Sequence, residues 1–507
     1  ATPPWVLELP LAYPFLFERG VREQLLRCIG FGTSHAVLWL QRQSIEERYG
    51  DRLRRVEGQL EGRMDLTEHI VSDPRVFIGP ARSDFITLPS RDDLLVNAER
   101  IVELTHASKA MLEVKFADEG GFGDGVTQSF YTAVAAELTA LDGRWADGSQ
   151  QHSPSCASGL WAEHSPESVF ESQGRSHLHA RRGLFPRPRV PGTPSSETAC
   201  QRFRFLGRLM AKALRDGFVV PLPLCGHFFT AALGEDLPLA ALPQPGDGYV
   251  GEFVGAAAHF AVELRRRHRG LEDEARLAAR REAARRPGWG REYLGLKGGE
   301  AAEWSFDQYV ESCCITFRET GMGGQELCEG GGERPLDVDG LDEFVESAAL
   351  WWLREGIMEQ VAAFRQGVED VCASSAIWAF EAAELGSLFC GGHVKWTRDE
   401  LLQHLRARNG VDAREMEMLV TVLDRMPPTR RGQFLDFVTA CPRLPPGGLA
   451  AAKITVAPAN PPGSLPRART CTKELRLPKY ESAEQLETQL FCAMENAEGL
   501  YDDDRMS

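Results

Sequence analysis

Two adjacent glycines, Gly391-Gly392, divide this sequence of 507 residues into a long helical part and a short mixed part. Before them, we predict helices over 92–106, 126–141, 203–214 and 341–367, and a charged stretch over 263–286 is also predicted to be helical. After them, we predict helices over 398–408 and 413–425, followed by short strands and turns. Paired glycines after a helix supply a left-handed cap and a flexible point. The pattern therefore predicts an α+β fold, with a mostly helical large lobe, a hinge and a small α/β lobe.

The boundaries of these parts follow from the same pattern. We predict a partly helical N-terminal flank over 1–106, a large lobe over 107–390, a hinge over 391–397 and a small lobe over 398–507. The large lobe opens with an alternating run that predicts a strand over 111–116. Between about 143 and 198 the composition turns to Ser, Pro, Gly, His and Arg, and we predict a disordered insert there. The first residue is Ala1 and not Met, so we expect a piece of a longer chain.

Charge and hydropathy argue against nucleic acid and membrane as partners of this chain. The net charge of −16 disfavours nucleic-acid binding, because phosphate-binding chains are usually basic. The charged stretch 263–286 alternates in sign, which is typical of a solvated helix and not of a nucleic-acid arm. The most apolar long stretch, 217–234, is interrupted by Pro221, Pro223 and His227, so we predict a buried segment and no membrane span. No signal peptide is evident near the start.

Two further patterns argue against a metal or a cofactor. The 12 cysteines are scattered and form no CxxC pair, which favours reduced thiols in the cytoplasm or nucleus. Cys313-Cys314 and Cys328 have no second cluster to complete a zinc site. The run Gly121-Phe122-Gly123-Asp124-Gly125 lies between a predicted strand and a helix, as a dinucleotide fingerprint does. Its third glycine is replaced by Val126, so we predict a tight turn and no nucleotide site.

One cysteine stands out as a candidate nucleophile. Cys471 lies between a proline-rich loop and a predicted strand over 474–477. If this segment is extended, alternation puts Arg469, Cys471 and Lys473 on the same face. Two cations beside a thiol favour the thiolate, which is the attacking species in exchange chemistry. No His or Asp partner motif surrounds Cys471, which disfavours a cysteine protease, but the spacing alone leaves an incidental thiol open.

The residues around Cys471 resemble the active-site signature of the HECT ubiquitin ligases. That signature is seen in Leu465-Pro466, Thr470-Cys471 and Leu475-Arg476-Leu477-Pro478-Lys479-Tyr480-Glu481-Ser482. Matching segments upstream are 112–116, the glycine turn 120–125, Thr127, Phe130-Tyr131, 183–186, 203–213, 221–224, Gln360, 363–364, Gly367, 384–385, 388–391, 434–439 and 442–448. The segments 183–186, 203–213 and 221–224, with Tyr13-Pro14-Phe15-Leu16-Phe17, are most similar to the ubiquitin-fusion-degradation branch. The resemblance covers roughly residues 90 to 505.

The resemblance implies a bilobal HECT domain that acts as a ubiquitin transferase. A conjugating enzyme is expected to dock on a subdomain at about 235–330 and to pass ubiquitin to Cys471 as a thioester. The small lobe would then swing about the hinge and present ubiquitin to a lysine of a protein substrate, directing that protein to degradation. Thr470 and Leu465 would position the thiol and the thioester carbonyl, and Arg443 would pack the small lobe or support the site.

Three departures from the family pattern leave alternatives open. Family members often have an Asp before the Leu-Pro turn, whereas Asn460-Pro461-Pro462-Gly463-Ser464 contains none. Asp502-Asp503-Asp504 is either a substitute or a solvated tail. Leu500-Tyr501 stands where the family often has Phe, and the segment 333–338 lacks the usual Val-Thr. We expect an active ligase; a binding-only pseudo-ligase scaffold and a cysteine hydrolase are the alternatives.

Overall fold

A computed structural model describes residues 4–56, 60–79, 82–121, 123–141, 159–162, 169–172, 175–178, 181–247, 251–318, 324–372 and 375–496. The chain folds into two compact units. Unit 1 consists of Ala1–Ala135, Phe205–Pro221 and Gln366–Ser507, and unit 2 consists of Ala136–Arg204 and Leu222–Arg365. Among the described residues, helices predominate and the sheets are small, which agrees with the predicted α+β class.

The helices, numbered in chain order, account for most of the described residues. They are α1 (Pro4–Ala12), α2 (Arg19–Leu25), α3 (Thr33–Val56), α4 (Leu60–Ser72), α5 (Leu94–Thr105), α6 (Asp124–Glu137), α7 (Pro194–Asp216), α8 (Gly226–Leu233), α9 (Glu252–Arg267), α10 (Asp273–Ala284), α11 (Trp289–Tyr293), α12 (Phe306–Ser312), α13 (Leu341–Leu350), α14 (Met358–Val371), α15 (Ala382–Cys390), α16 (Arg398–His404), α17 (Ala413–Arg425), α18 (Pro428–Thr439), α19 (Gly448–Ala452) and α20 (Ala483–Glu495).

The strands form three small sheets. They are β1 (Ser83–Leu88), β2 (Met111–Phe116), β3 (Val169–Ser172), β4 (Arg175–Leu178), β5 (Arg406–Ala407), β6 (Thr455–Ala459), β7 (Arg467–Arg469) and β8 (Glu474–Pro478). β1 pairs with β2 in parallel, and β3 pairs with β4 in antiparallel orientation. The third sheet has the order β5-β6-β8-β7, in which only the β7–β8 pair is antiparallel.

In unit 1, a buried ion pair ties β2 to helix α7. Lys212 has no exposed surface, and its Nζ lies 2.9 Å from the carboxylate of Asp216 and donates to the carbonyl of Ala110 at 2.6 Å. The same carboxylate accepts a hydrogen bond from the amide of Leu112 at 2.9 Å. Farther along β2, the amide of Val114 donates to the hydroxyl of Thr127 in α6 at 3.1 Å, which joins this strand to α6. These bonds fix where α6 begins.

The N-terminal flank is part of unit 1 and packs on α15. The guanidinium of Arg22 is bidentate to Glu384, at 2.6 and 2.7 Å, and donates to the carbonyl of Ala379 at 3.0 Å. Arg19 donates to the hydroxyl of Ser387 at 3.2 Å. α15 ends at Cys390, directly before the two glycines. The flank therefore supports the helix from which the predicted hinge starts.

The C-terminal part of unit 1 has a hydrophobic core of its own. Its buried members are Trp396, Leu401, Leu405, Leu419, Val420, Val422, Leu423, Met426, Phe434, Leu435, Val438, Leu444, Leu449, Ala452, Ile454, Val456, Leu475, Leu477, Tyr480, Leu486 and Leu490. Helices α16 and α17 begin with reciprocal capping boxes, Thr397 with Glu400 and Asp412 with Glu415. The segment 391–397, predicted as the hinge, is irregular and ends at the first of these caps.

Unit 2 is built around aromatic side chains. The rings of Trp161, Phe203, Phe228 and Phe364 form a chain with centroid distances of 5.7, 6.0 and 4.9 Å. The indole of Trp161 also donates to the carbonyl of Leu138 at 2.8 Å. Some residues of the predicted insert therefore pack in the core, and disorder at its remaining positions stays a prediction. Short apolar islands such as residues 160–162 are enough to bury part of a stretch whose overall composition is polar.

Other element predictions also need correction. The charged stretch 263–286 is not one helix, because α9 ends at Arg267 and α10 begins at Asp273. The predicted helix 341–367 is interrupted between α13 and α14 by a wider turn over 351–355. After residue 425 the sequence pattern predicts only strands and turns, whereas α18, α19 and α20 are helices. The signal missed for α18 is Pro427-Pro428, since proline is favoured in the first helical turn.

The remaining positions of the insert (142–158, 163–168, 173–174 and 179–180) and the tail 497–507 lie outside the described residues. In the part of the chain that is described, no helix is both long enough and apolar enough to cross a membrane.

Candidate active site

Cys471 lies in the turn that connects two antiparallel strands. β7 ends at Arg469 and β8 begins at Glu474, so residues 470–473 form the loop of a hairpin. The amide of Lys473 donates to the carbonyl of Thr470 at 3.3 Å and closes the turn. The side chain of Cys471 is exposed, whereas that of Thr470 is half-buried. A thiol at the tip of a hairpin is accessible to a large reaction partner.

The turn corrects the predicted arrangement of charges. Alternation along an extended segment would put Arg469, Cys471 and Lys473 on the same face, but the chain reverses direction between the first and the last of them. Lys473 has φ of +52°, a left-handed conformation that closes the loop. Two-residue periodicity holds only within a strand, so the same-face argument fails here.

The first turn of α6 comes very close to the backbone of the Cys471 turn. A Cβ built on Gly125 would lie 2.5 Å from Oγ1 of Thr470 and 2.7 Å from the amide nitrogen of Cys471. A Cβ built on Gly123 would lie 3.9 Å from Sγ of Cys471. Only a residue without a side chain fits at position 125, because two of the atoms that a Cβ would meet within 3 Å belong to the backbone.

The start of α6 is held in place from several sides. Arg91 is bidentate to Glu119, at 2.5 and 3.1 Å, and its guanidinium lies 4.3 Å from the ring centroid of Phe116. The same group donates to the hydroxyl of Ser129 in α6 at 3.1 Å. Farther along the helix, the hydroxyl of Thr132 donates to the carbonyl of Ala440 at the end of α18 at 2.7 Å. Contacts from Arg91 and from the end of α18 thus hold α6 in the position where its first turn lies against the Cys471 turn.

Charge complements this approach. Asp124 is exposed at the first position of α6, and Lys473 is half-buried at the end of the hairpin loop. Burial lowers the pKa of Lys473, and the negative charge of Asp124 opposes that effect. The attraction between Asp124 and Lys473 therefore favours the close contact between the start of α6 and the Cys471 turn, which the glycines make possible.

Cys441, which precedes Cys471 by 30 residues, is unsuited to nucleophilic chemistry. Its side chain is 4% exposed, and burial raises the pKa of its thiol to about 12. At neutral pH it stays a protonated small hydrophobe. Exposure therefore distinguishes Cys471 from it.

The Leu465-Pro466 turn lies at the other end of β7. Leu465 is 40% exposed and Pro466 is buried. The preceding loop is anchored to the end of β8, since the hydroxyl of Tyr480 donates to the carbonyl of Ser464 at 2.5 Å and the amide of Gly463 donates to the carbonyl of Lys479 at 2.9 Å. The loop thus fixes the start of β7 while leaving the Leu465 side chain available to a partner.

Arg443 lies against the predicted hinge. A Cβ on Gly391 would come within 2.9 Å of both the Arg443 Cβ and the Leu444 carbonyl oxygen. Gly391 has φ of +79°, and the amide of Gly392 donates to the Leu444 carbonyl at 2.7 Å. The structure thus brings Thr470 and Cys471 together and assigns Arg443 to the contact between the hinge and the C-terminal core.

Sequence reasoning missed the residues that face Cys471 from α6. Gly123, Asp124 and Gly125 were interpreted as a tight turn, which is correct locally but says nothing about their neighbour. The only signal was the glycine spacing between a strand and a helix, and that pattern is shared with unrelated turns. No group of three or more His, Cys, Asp or Glu side chains within the described ranges is arranged to hold a metal ion.

Comparisons with known proteins agree with the resemblance. The family model of the HECT domain (ubiquitin-transferase) matches residues 154–501, more than half of the chain. Similar proteins include the E3 ubiquitin-protein ligases UPL3 of Arabidopsis thaliana, hecd-1 of Caenorhabditis elegans and Ufd4 of Drosophila melanogaster, with 27%, 28% and 26% identity. The matches cover 99%, 98% and 97% of this chain but only 25%, 19% and 19% of those proteins. The chain therefore spans about a quarter or less of their length.

Proposed function

The chain belongs to the HECT-domain (ubiquitin-transferase) family, and we propose that it is a ubiquitin-protein ligase that carries ubiquitin on Cys471. The observation that carries this proposal is the exposed thiol of Cys471 on a hairpin turn, next to Thr470 and within the family-matched region. Its partners are ubiquitin, a ubiquitin-conjugating enzyme and protein substrates. We place its action in the cytoplasm or nucleus, where thiols remain reduced.

The first step is an exchange of thioesters. The Cys471 thiolate attacks the carbonyl of ubiquitin's C-terminal glycine on the conjugating enzyme, and the thiolate of that enzyme leaves. One C–S bond forms as another breaks, so the step needs neither a nucleotide nor a metal. Thr470 and Leu465, on either side of β7, hold the turn and the incoming ubiquitin tail in register.

The second step transfers ubiquitin to a lysine. The neutral Nζ attacks the thioester carbonyl, a C–N bond forms, and the C–S bond breaks with its electron pair on the sulfur of Cys471. The proton that the nitrogen loses passes to a base. Free lysine has a pKa near 10.4, so a nearby carboxylate that takes up the proton assists the step.

We propose a bilobal arrangement for these two steps, with the small lobe turning about residues 391–397. The glycine at 391 and the anchored core that follows it support this division. The conjugating enzyme docks within about 235–330. That region contributes to an open groove of about 510 Å³ lined by residues such as Arg285, Val310 and Cys314.

The test is a single-turnover assay with the purified chain, an activating enzyme, a panel of conjugating enzymes and labelled ubiquitin. We expect a reductant-sensitive ubiquitin adduct with the unaltered chain and none with Cys471→Ala. Cys28→Ala is the matched control, because Cys28 is also exposed but lies outside both the hairpin and the proposed docking region, and its adduct should equal that of the unaltered chain.

Other outcomes would favour the alternatives. A folded chain that forms no adduct with any conjugating enzyme would be a binding-only pseudo-ligase, a possibility motivated by the missing acidic residue in 460–464. Release of ubiquitin to water faster than to lysine would indicate a hydrolase.

A further inference from the structure

We propose that the turn Gly123-Asp124-Gly125 is the seat on which the Cys471 hairpin rests while ubiquitin passes from Cys471 to lysine. This inference depends on the proposed function and adds positioning residues to it. It concerns a glycine pattern that the nucleotide interpretation left without a role. In unit 1, Gly123 and Gly125 of that pattern lie directly against the turn that contains Cys471.

The first argument is steric. The atoms that approach Gly125 most closely are Oγ1 and C of Thr470 and the amide nitrogen of Cys471, at 2.5, 2.8 and 2.7 Å from a constructed Cβ. Backbone packs directly on backbone at this point, and any side chain at 125 would push the hairpin loop away. Gly120 is a few residues earlier in the same loop, and a Cβ there would meet nothing within 4 Å. The requirement for glycine at 125 thus arises from the Cys471 turn and not from the loop itself.

The second argument is electrostatic. Asp124 lies between Gly123 and Gly125, and its charge acts on Lys473 at the end of the hairpin loop. A seat of opposite charge favours one orientation of the turn, and the exposed thiol of Cys471 remains accessible within it. Steric fit and charge therefore select the same contact.

The geometry assigns the seat to discharge and not to loading. In the seat, Gly123 lies beside the thiol, since a Cβ built on it would be 3.9 Å from Sγ of Cys471. A conjugating enzyme presents its cysteine on a folded surface, and two such centres meet only if the hairpin is free to move. A lysine side chain is slender and reaches an exposed thioester from the open side. Holding the turn in one place accelerates this second reaction by fixing the geometry of attack.

The test separates the two steps with Gly125→Ala. Alanine is a better helix former than glycine in the first turn of a helix, so the helix itself is not weakened. We expect thioester loading within about twofold of the unaltered chain. Discharge to free lysine should slow by at least about tenfold, since small displacements of reacting groups have effects of that size. Gly120→Ala is the matched control and should leave both rates unchanged.

Charge exchange provides a second, independent variant. Asp124→Lys should slow discharge about two- to fivefold, the range for an exposed charge pair. Combining it with Lys473→Asp should restore the rate, because Asp tolerates the left-handed conformation at 473. This pair also covers the case in which Gly125→Ala does not fold.

The outcomes distinguish failure of this inference from failure of the proposed ligase function. If the unaltered chain forms no thioester, the proposed function fails. If the unaltered chain loads and discharges, and Gly125→Ala discharges equally fast, the seat is overturned while the function stands. Equal loss of loading and discharge would also overturn it, because the contact would then not be specific to the second step.

Discussion

At the scale of single residues, backbone conformation separates positions that look alike in sequence. Ala440 ends α18 in a left-handed conformation with φ of +58°, although alanine has no intrinsic preference for it. Its carbonyl still accepts the hydroxyl of Thr132. Gly391 has a positive φ as well, and there the sequence supplies the residue that such a conformation favours. The left-handed glycine was predictable, whereas the left-handed alanine was not.

Ala440→Gly should therefore stabilise the protein. Glycine relieves the left-handed strain of about 1–2 kcal/mol but adds entropy to the unfolded chain, so we expect a gain of about 0.5–1 kcal/mol. Denaturant unfolding measures it. Ala362→Gly, at an exposed position inside α14, is the control and should cost about 1 kcal/mol. A loss at position 440 as large as the loss at 362 would contradict the argument.

At the scale of elements, the flank and α15 are joined by a charged contact that responds to pH. Burial alone would raise the pKa of Glu384, but hydrogen bonds from Arg22 and from the amide of Glu381, with the charge of Arg22, lower it overall. A carboxyl with a lowered pKa binds fewer protons in the folded state than in the unfolded state. Its contribution to stability is complete above the unfolded value, near pH 4.3, and is lost as the pH falls through the folded value.

Glu384→Gln should lower the free energy of unfolding by about 2–4 kcal/mol at pH 7, because it removes one partner of a largely buried, bidentate pair. The difference between variant and unaltered chain should stay constant down to about pH 4.5 and then narrow. Urea unfolding at pH 7, 5 and 3.5 measures it. Glu23→Gln breaks only the i,i+4 pair with Arg19 and should cost less than about 0.5 kcal/mol. If the difference in unfolding free energy between Glu384→Gln and the unaltered chain did not depend on pH, the argument would be contradicted.

At the scale of the whole molecule, sequence composition and packing divide the chain differently. The sequence suggested a flank over 1–106 separate from the lobes that follow, and those boundaries stay a prediction. In the structure the flank shares unit 1 with the C-terminal part of the chain, through Arg22, Glu384 and the buried side chain of Leu26. Composition changes mark linkers, but they do not report which distant segments pack together.

Removal of residues 1–81 tests the role of the flank. The truncated chain should retain helical circular dichroism but melt at least about 3 °C lower, because losing the buried Arg22 pair alone costs about 3 kcal/mol or more. Calorimetry on both chains measures the shift. An unchanged melting temperature would show that the flank folds as a separate unit.

The sequence by itself predicted helices such as those at 92–106 and 413–425, the strand at 111–116, the paired glycines after α15 and Cys471 as the candidate nucleophile. All of these depend on residues close together in the chain, where local preferences act directly. Only the tertiary structure decided that Cys471 lies on a hairpin turn and that Gly125 faces it. A contact between segments so distant depends on the packing of every element between them, and no local pattern records it.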